Sequence, residues 1–240
     1  QPEWTARRPF AFTSVYVLPA EQAEVEMAFD SSSYSSSLGQ FYQEVEIGLP
    51  RRFQLSLENY YQNFRDDQRR PSGWRENSLA VGVRYALADW GAIPLNPALG
   101  VAWKSISGAP DAAEYKLVIG GEITPRWHWA GDVTYERQWG GPRFRETTMS
   151  GGLTYTVKNE RLNVGIAARS RRSTETKEAT RKEFTCGPCV EIRPSDLIHI
   201  NLSPMWGAGK NSPAREFVVS FGVDFGEGSN DHDDHPKSAK

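Results

Sequence analysis

The feature that most constrains this chain is an alternation of period two that recurs along almost its whole length. In residues 215–225, Phe217, Val219, Phe221, Val223 and Phe225 alternate with Glu216, Val218, Ser220, Gly222 and Asp224. An extended backbone sends these two sets to opposite faces, one greasy and one mostly polar or small. The pattern returns with Leu79, Val81, Val83, Tyr85 and Leu87 against Ser78, Ala80, Gly82, Arg84 and Ala86. It returns again with Ile198, Ile200 and Leu202 against His199, Asn201 and Ser203, and with Val45, Ile47 and Leu49 against Glu44, Glu46 and Gly48. A helix would scatter each apolar set around its axis. The segments predict strands over 22–31, 38–49, 52–64, 77–88, 94–106, 112–122, 125–136, 145–157, 160–172, 179–192, 197–206 and 214–225. Tight turns at 49–52, 123–126, 158–161 and 193–196 alternate with longer charged or Gly/Ser-rich stretches at 32–37, 65–76, 107–111, 137–144, 173–178 and 207–213. Alternating short and long connections belong to an up-and-down barrel with all its short turns at one end.

Alternation alone does not separate a membrane barrel from a soluble sandwich. Two features decide. Aromatic residues gather near strand ends: Phe53, Trp127, Trp129 and Phe225 at the turn side, Phe41, Tyr61, Trp103, Tyr135 and Trp206 at the loop side. Two such rings match the interfacial girdles of an outer-membrane barrel. The opposite face carries Glu24, Glu26, Glu44, Glu46, Glu58, Arg84, Lys104, Lys116, Glu122, His128, Asp132 and Arg169. A dry core cannot hold that many charges, and a wet lumen can. The mean hydropathy of −0.58 is no obstacle, because lipid-facing and lumen-facing residues cancel in any window. No run of 18 or more apolar residues offers a membrane helix. The 28 basic and 30 acidic residues leave a net charge of −2, which gives no polyelectrolyte signal for nucleic acid.

The expected fold is therefore all-β: an antiparallel up-and-down transmembrane barrel of about twelve strands, spanning 22–225, monomeric and embedded in bacterial outer-membrane lipid. No charged-then-apolar leader opens the sequence, which begins at Gln1 as in an exported chain whose leader has been removed or a chain that has been trimmed. Residues 1–21 are too apolar for a free linker and are expected to plug the lumen, cap its periplasmic mouth or add a strand. The tail 226–240 lacks an apolar stripe and is expected to be disordered; its Asp231-His232-Asp233-Asp234-His235 run reads as solvated charge rather than a metal site.

Three stretches resemble the bacterial outer-membrane barrels grouped as transporters associated with phenol-degradation pathways. They are Arg-Pro-Phe with Val-Leu-Pro-Ala (8–10, 17–20), Glu-Ile-Gly-Leu-Pro-Arg-Arg-Phe-Gln-Leu (46–55), and Arg-Pro-Ser-Asp before Leu-Ile-His-Ile-Asn-Leu-Ser-Pro-Met-Trp-Gly (193–207). The last strand, ending at Phe225, resembles the aromatic-ended strand by which such barrels are recognised for assembly, although fifteen further residues follow it. The resemblance implies an outer-membrane barrel that carries small molecules.

The charges sort by strand. Glu24, Glu26, Glu44, Glu46 and Glu58, joined on closure by Glu216 and Asp224, form an expected acidic arc. Arg84, Lys104 and Lys116 form a basic arc. Opposed arcs orient a charged or dipolar solute in an open pore, or pair across the lumen and close it. His128, Asp132 and His199 are further polar lumen residues; neither histidine is placed to serve a lipid-directed Ser–His pair. Cys186-Gly187-Pro188-Cys189 copies a redox motif but lacks its strand-to-helix context. A disulfide stapling a bulged strand is the expectation, with free thiols as the alternative. Arg69, Arg70, Arg171 and Arg172 lie in basic loop stretches and are expected to meet lipopolysaccharide phosphates or anionic solutes. No phosphate-binding glycine loop or metal framework is present, so neither cofactor nor metal is expected. The functional expectation is a passive channel for small solutes. The alternatives are a closed structural or binding barrel and a surface enzyme acting on lipid.

Overall fold

The computed structural model describes residues 2–7, 14–32, 37–65, 71–140, 144–175 and 179–226. A short helix, α1 (Trp4–Arg7), precedes twelve strands: β1 (Ala23–Ser32), β2 (Ser37–Leu49), β3 (Phe53–Arg65), β4 (Pro71–Ala86), β5 (Ala98–Ile106), β6 (Ala112–Thr124), β7 (Trp127–Gln138), β8 (Arg145–Lys158), β9 (Leu162–Thr174), β10 (Arg181–Ile192), β11 (Ile198–Gly207) and β12 (Arg215–Phe225). Each pairs antiparallel with its sequence neighbours, and β1 pairs with β12 to close the barrel. Closure leaves no unpaired edge, which an apolar solvent demands of any sheet that spans it.

Alternation sets the wall's two faces. Outward stand Leu57, Val81, Val101, Leu117, Ile166 and Phe221, among thirty exposed large apolar side chains of the described residues. A water-soluble domain does not expose a continuous apolar belt of that size, whereas a bilayer solvates it. The girdle residues pair across neighbouring strands: Phe53 with Tyr85 at 4.6 Å between ring centroids, Trp127 with Tyr155 at 5.2 Å and Phe41 with Tyr61 at 6.1 Å. Trp103 meets Trp139 edge-on at 4.7 Å. Such cross-strand aromatic contacts stabilise the ladder as well as the interface.

Strand boundaries agree with the sequence pattern to within two residues except at the starts of β4 and β5. β4 begins at Pro71 instead of 77, because β3 and β4 keep pairing past register shifts at Tyr60/Tyr61 and Asn63/Arg65. β5 begins at Ala98 instead of 94. Pro94 and Pro97 lack ladder donors, and Leu95 and Asn96 take positive φ of 68° and 43°, which holds residues 87–97 out of regular pairing. That connection is consequently the longest at the turn end rather than a tight turn.

Candidate functional site

Small inward side chains at the turn end leave room for the N-terminal segment. Ala86, Ala98 and Val118 pack on Tyr16 and Val17, while Ala130, Ala167 and Cys189 pack on Val15. Residues 14–18 thus cross the barrel interior from the wall of β4–β6 to that of β7, β9 and β10, with every residue buried. Two inward glycines permit the approach. A Cβ on Gly48 would overlap the Pro19 carbonyl oxygen and come within 2.7 Å of the Leu18 oxygen; one on Gly120 would come within 2.5 Å of a Val15 methyl. The Leu18 N–H donates to Gln54 Oε1 at 2.8 Å, satisfying a buried donor that has no ladder partner.

Helix α1 sits beside the turns. The Trp4 N–H donates to Glu160 Oε1 at 2.8 Å, and Asn163 Nδ2 donates to the Thr5 carbonyl at 2.8 Å. The Arg193 guanidinium lies over the Trp4 ring at 5.5 Å and pairs with Glu160 at 3.1 Å and Asp224 at 3.3 Å. Burial raises the Glu160 carboxyl above its ordinary range, against the opposing pull of the Trp4 N–H and Arg193. Beneath these residues, His128 Nε2 lies 2.8 Å from the Thr156 hydroxyl, which donates to Asn163 Oδ1 at 2.9 Å.

Above Ser14 opens a cavity of about 430 Å³. Its described lining holds nine carboxylates, from Glu26, Asp30, Glu44, Glu46, Glu58, Glu114, Asp132, Glu136 and Glu146, and five cations, from Arg84, Lys104, Lys116, Arg169 and Arg171. The expected acidic arc is contiguous: Glu24 pairs in register with both Glu46 and Asp224, and Glu26, Glu44 and Glu58 lie side by side on β1, β2 and β3. Of this group, Glu24 and Asp224 lie below the cavity around His199, whose Nε2 is 3.4 Å from Glu24 and from Glu26 and whose Nδ1 is 3.7 Å from Asp224. Glu216 sits higher, bound by Arg169 and by the Thr185 hydroxyl at 2.8 Å.

The basic residues do not form a free arc. Arg84 pairs with Glu46 at 3.6 Å, Lys104 with Glu136 at 2.7 Å and Glu114 at 3.4 Å, and Lys116 with Glu114 at 3.8 Å. Glu114, Glu136 and Glu146 are lumen acids that the strand-by-strand reading passed over. Parity would have found them, because Glu114 shares a face with Lys116 and Glu136 shares one with Asp132. A second basic group on β9 opposes them. Arg169 reaches Asp30 at 2.8 Å and Glu216, and Arg171 reaches Glu146 at 3.4 Å and Glu183 at 3.8 Å. The lumen therefore carries alternating acidic and basic sectors rather than two opposed arcs.

Two expectations are corrected by the same parity. Arg171 faces the lumen, two residues from Arg169 on one face of β9, so it is not a surface contact for lipopolysaccharide; Arg172 is exposed on the outer face. Cys186 and Cys189 are free thiols. Residues three apart on a strand point to opposite faces, so Cys186 is exposed on the outside and Cys189 is buried beside Val15, with no bulge between them on the β9 side of β10. Arg69, Arg70, the Arg-Pro-Phe at 8–10 and the tail beyond 226 lie outside the described residues.

No protein-family description and no curated protein matches this chain. Solved structures do. The NanC porin is 13% identical over 85% of this chain and 98% of its own, with a TM-score of 0.57. The KdgM porin in complex with disordered oligogalacturonate is 11% identical over 85% of this chain and 99% of its own, with a TM-score of 0.54. An outer membrane channel from Pseudomonas putida F1 is 10% identical over 88% and 98%, with a TM-score of 0.62. At these identities the likeness is one of fold: this chain shares the barrel of outer-membrane porins and channels.

Proposed function

We propose that this barrel resides in a bacterial outer membrane and passes small charged or aromatic solutes passively, with the tight turns at the periplasmic end and residues 14–18 as a plug beneath the cavity. The observation that carries the reading is the lumen cavity of about 430 Å³, lined by charge inside an apolar, girdled wall. A structural barrel fills its interior with packed side chains; a charged void is stable only when wet. Tyr42 and Tyr60, with ring centroids 5.7 Å apart and planes tilted by 36° on the lumen side, supply an aromatic surface for a flat solute. Two features of the described residues support a channel over a surface enzyme: His128 and His199 are 1% and 0% exposed, and both turn inward, away from lipid.

Burial of residues 14–18 across the interior favours a second reading, a barrel closed at rest. Planar-bilayer conductance of the full chain, compared with a variant lacking residues 1–21, tests both. Current in the truncated form only supports a plugged channel. Absence of current from both forms, each correctly folded, refutes transport.

A further inference from the structure

Among the described residues that line the cavity, every cation has an acid within ion-pair distance, and some carboxylates have no cation that close. Arg84, Lys104, Lys116, Arg169 and Arg171 each lie within ion-pair distance of at least one acid. Glu44 and Glu58 differ. Among the described residues neither has a cation within ion-pair distance; Glu58 accepts only the Tyr60 hydroxyl, at 2.6 Å. Yet the two are directly opposed in the β2–β3 register, and Glu26 is directly opposed to Glu44 in the β1–β2 register. Like charges directly opposite one another destabilise a sheet, so folding alone gives no reason for this row.

The open cavity provides one. All three carboxylates line it, alongside Tyr42, whose hydroxyl donates to Glu26 at 3.1 Å, and Tyr60. The Lys104 ammonium already rests 5.1 Å above the Tyr60 ring, so this wall accommodates positive charge at contact distance. From β9, Arg169 crosses the interior to Asp30 on β1, 139 residues away in the chain, and so narrows the passage on the side opposite β3.

We propose that the passage prefers cations, with Glu44 and Glu58 as the residues that set the preference and the Arg169 bridge as the bar that sets the bore. The inference rests on the channel reading above. Cationic and ammonium-bearing small solutes are its substrate class, and polyanions are excluded. In this it departs from the KdgM porin, whose structure holds an oligogalacturonate. A unit charge passing about 6 Å from a carboxylate in water gains roughly a threefold local enrichment, so two carboxylates give about tenfold.

The test is the reversal potential of the full chain in a potassium chloride gradient across a planar bilayer, with full-length Gly48→Val as a second conducting form. The expected result is a potassium-to-chloride permeability ratio near ten. Glu44→Gln with Glu58→Gln lowers it toward unity, and Arg169→Ala raises both the ratio and the conductance. The Gln replacements are isosteric and face a wet cavity, so they leave the barrel able to fold. Heat-dependent electrophoretic mobility confirms that each variant is folded. A current with no ion preference or a chloride preference, or one whose preference the double Gln variant leaves unchanged, overturns this inference while leaving the channel intact. No current in the full chain, in Gly48→Val or in the variant lacking residues 1–21, each folded, overturns the channel reading itself.

Discussion

Replacing Gly48 by valine is expected to undock the N-terminal segment in about half of the molecules while leaving the barrel closed. The Cβ added at this inward position of β2 would overlap the Pro19 carbonyl oxygen and lie 2.6 Å from its carbon and 2.7 Å from the Leu18 oxygen, closer than the 3.0 Å that real Cβ atoms keep. The obstacle is backbone, so no side-chain rotation relieves it. Holding the segment buries Val15, Tyr16, Val17 and Leu18, each 4% exposed or less, for roughly 6–12 kcal/mol at ~1.5–3 kcal/mol per side chain. Ordering residues 14–18 opposes this by about 5–10 kcal/mol at ~1–2 kcal/mol per residue. The net of about 2 kcal/mol is comparable to the ~1–3 kcal/mol cost of overpacking. One added side chain therefore shifts the docked-to-undocked ratio by about 30-fold. Limited trypsinolysis in detergent reads this shift directly, because Arg7 lies in the buried α1 when the segment is docked. Cleavage of the segment should accelerate about 15-fold in Gly48→Val, as the undocked fraction rises from about 3% to about half, with heat-dependent mobility unchanged. An unchanged cleavage rate in a folded barrel would refute the reasoning.

Other outcomes follow from the same packing. Gly222→Val places a Cβ against the His199 ring, overlapping Nε2 and within 3.0 Å of Cδ2, and should lower the unfolding midpoint in urea by the equivalent of about 1–3 kcal/mol; an unaltered midpoint counts against the observed ring position. Denatured, unreduced protein should take up two equivalents of alkylating reagent, and the folded barrel in bilayers one equivalent of a lipid-soluble maleimide, at Cys186; recovery of a disulfide-linked mass contradicts the free pair. The Glu160 carboxyl is raised by burial in the docked state, so its contribution to docking is fully present below the free-glutamate range and is lost as pH rises through the raised value. Trypsin cleavage of the segment, normalised at each pH to cleavage of an unstructured peptide, should slow on acidification in the native chain, and Glu160→Gln should flatten that normalised dependence. An identical pH profile in both forms argues that another group controls docking.

Much of the barrel is legible in the sequence because its two solvents enforce a strict parity. Phe217 through Phe225 and Leu79 through Leu87 can be assigned to lipid without any partner strand, since shifting either by one residue would place its charges in hydrocarbon. The same parity locates Glu44, Glu46, Arg84, Lys104, His128 and His199 in the lumen. It also contains the answers that a loop-based reading missed: Arg171 follows Arg169 on the inner face, and Cys186 and Cys189 stand on opposite sides of the wall. Where proline and left-handed residues interrupt the ladder, at 94–97, local pattern misplaces a strand start because pairing partners decide it.

Parity says which face a residue occupies, and nothing about which residues meet across the lumen. Asp30 and Arg169, or Glu160 and the Trp4 backbone, are joined only by closure of the barrel and by the fold-back of the N-terminus. Gly48 and Gly120 look like ordinary strand glycines until Pro19 and Val15 are packed against them. The sequence by itself thus determined the strand number, the two faces and the presence of charge in the lumen, because each follows from a local period imposed by lipid on one side and water on the other. Tertiary structure alone decided how that charge is paired, leaving Glu44 and Glu58 with no cation within ion-pair distance among the described residues, and where residues 14–18 run, because those depend on distances between strands far apart in the chain.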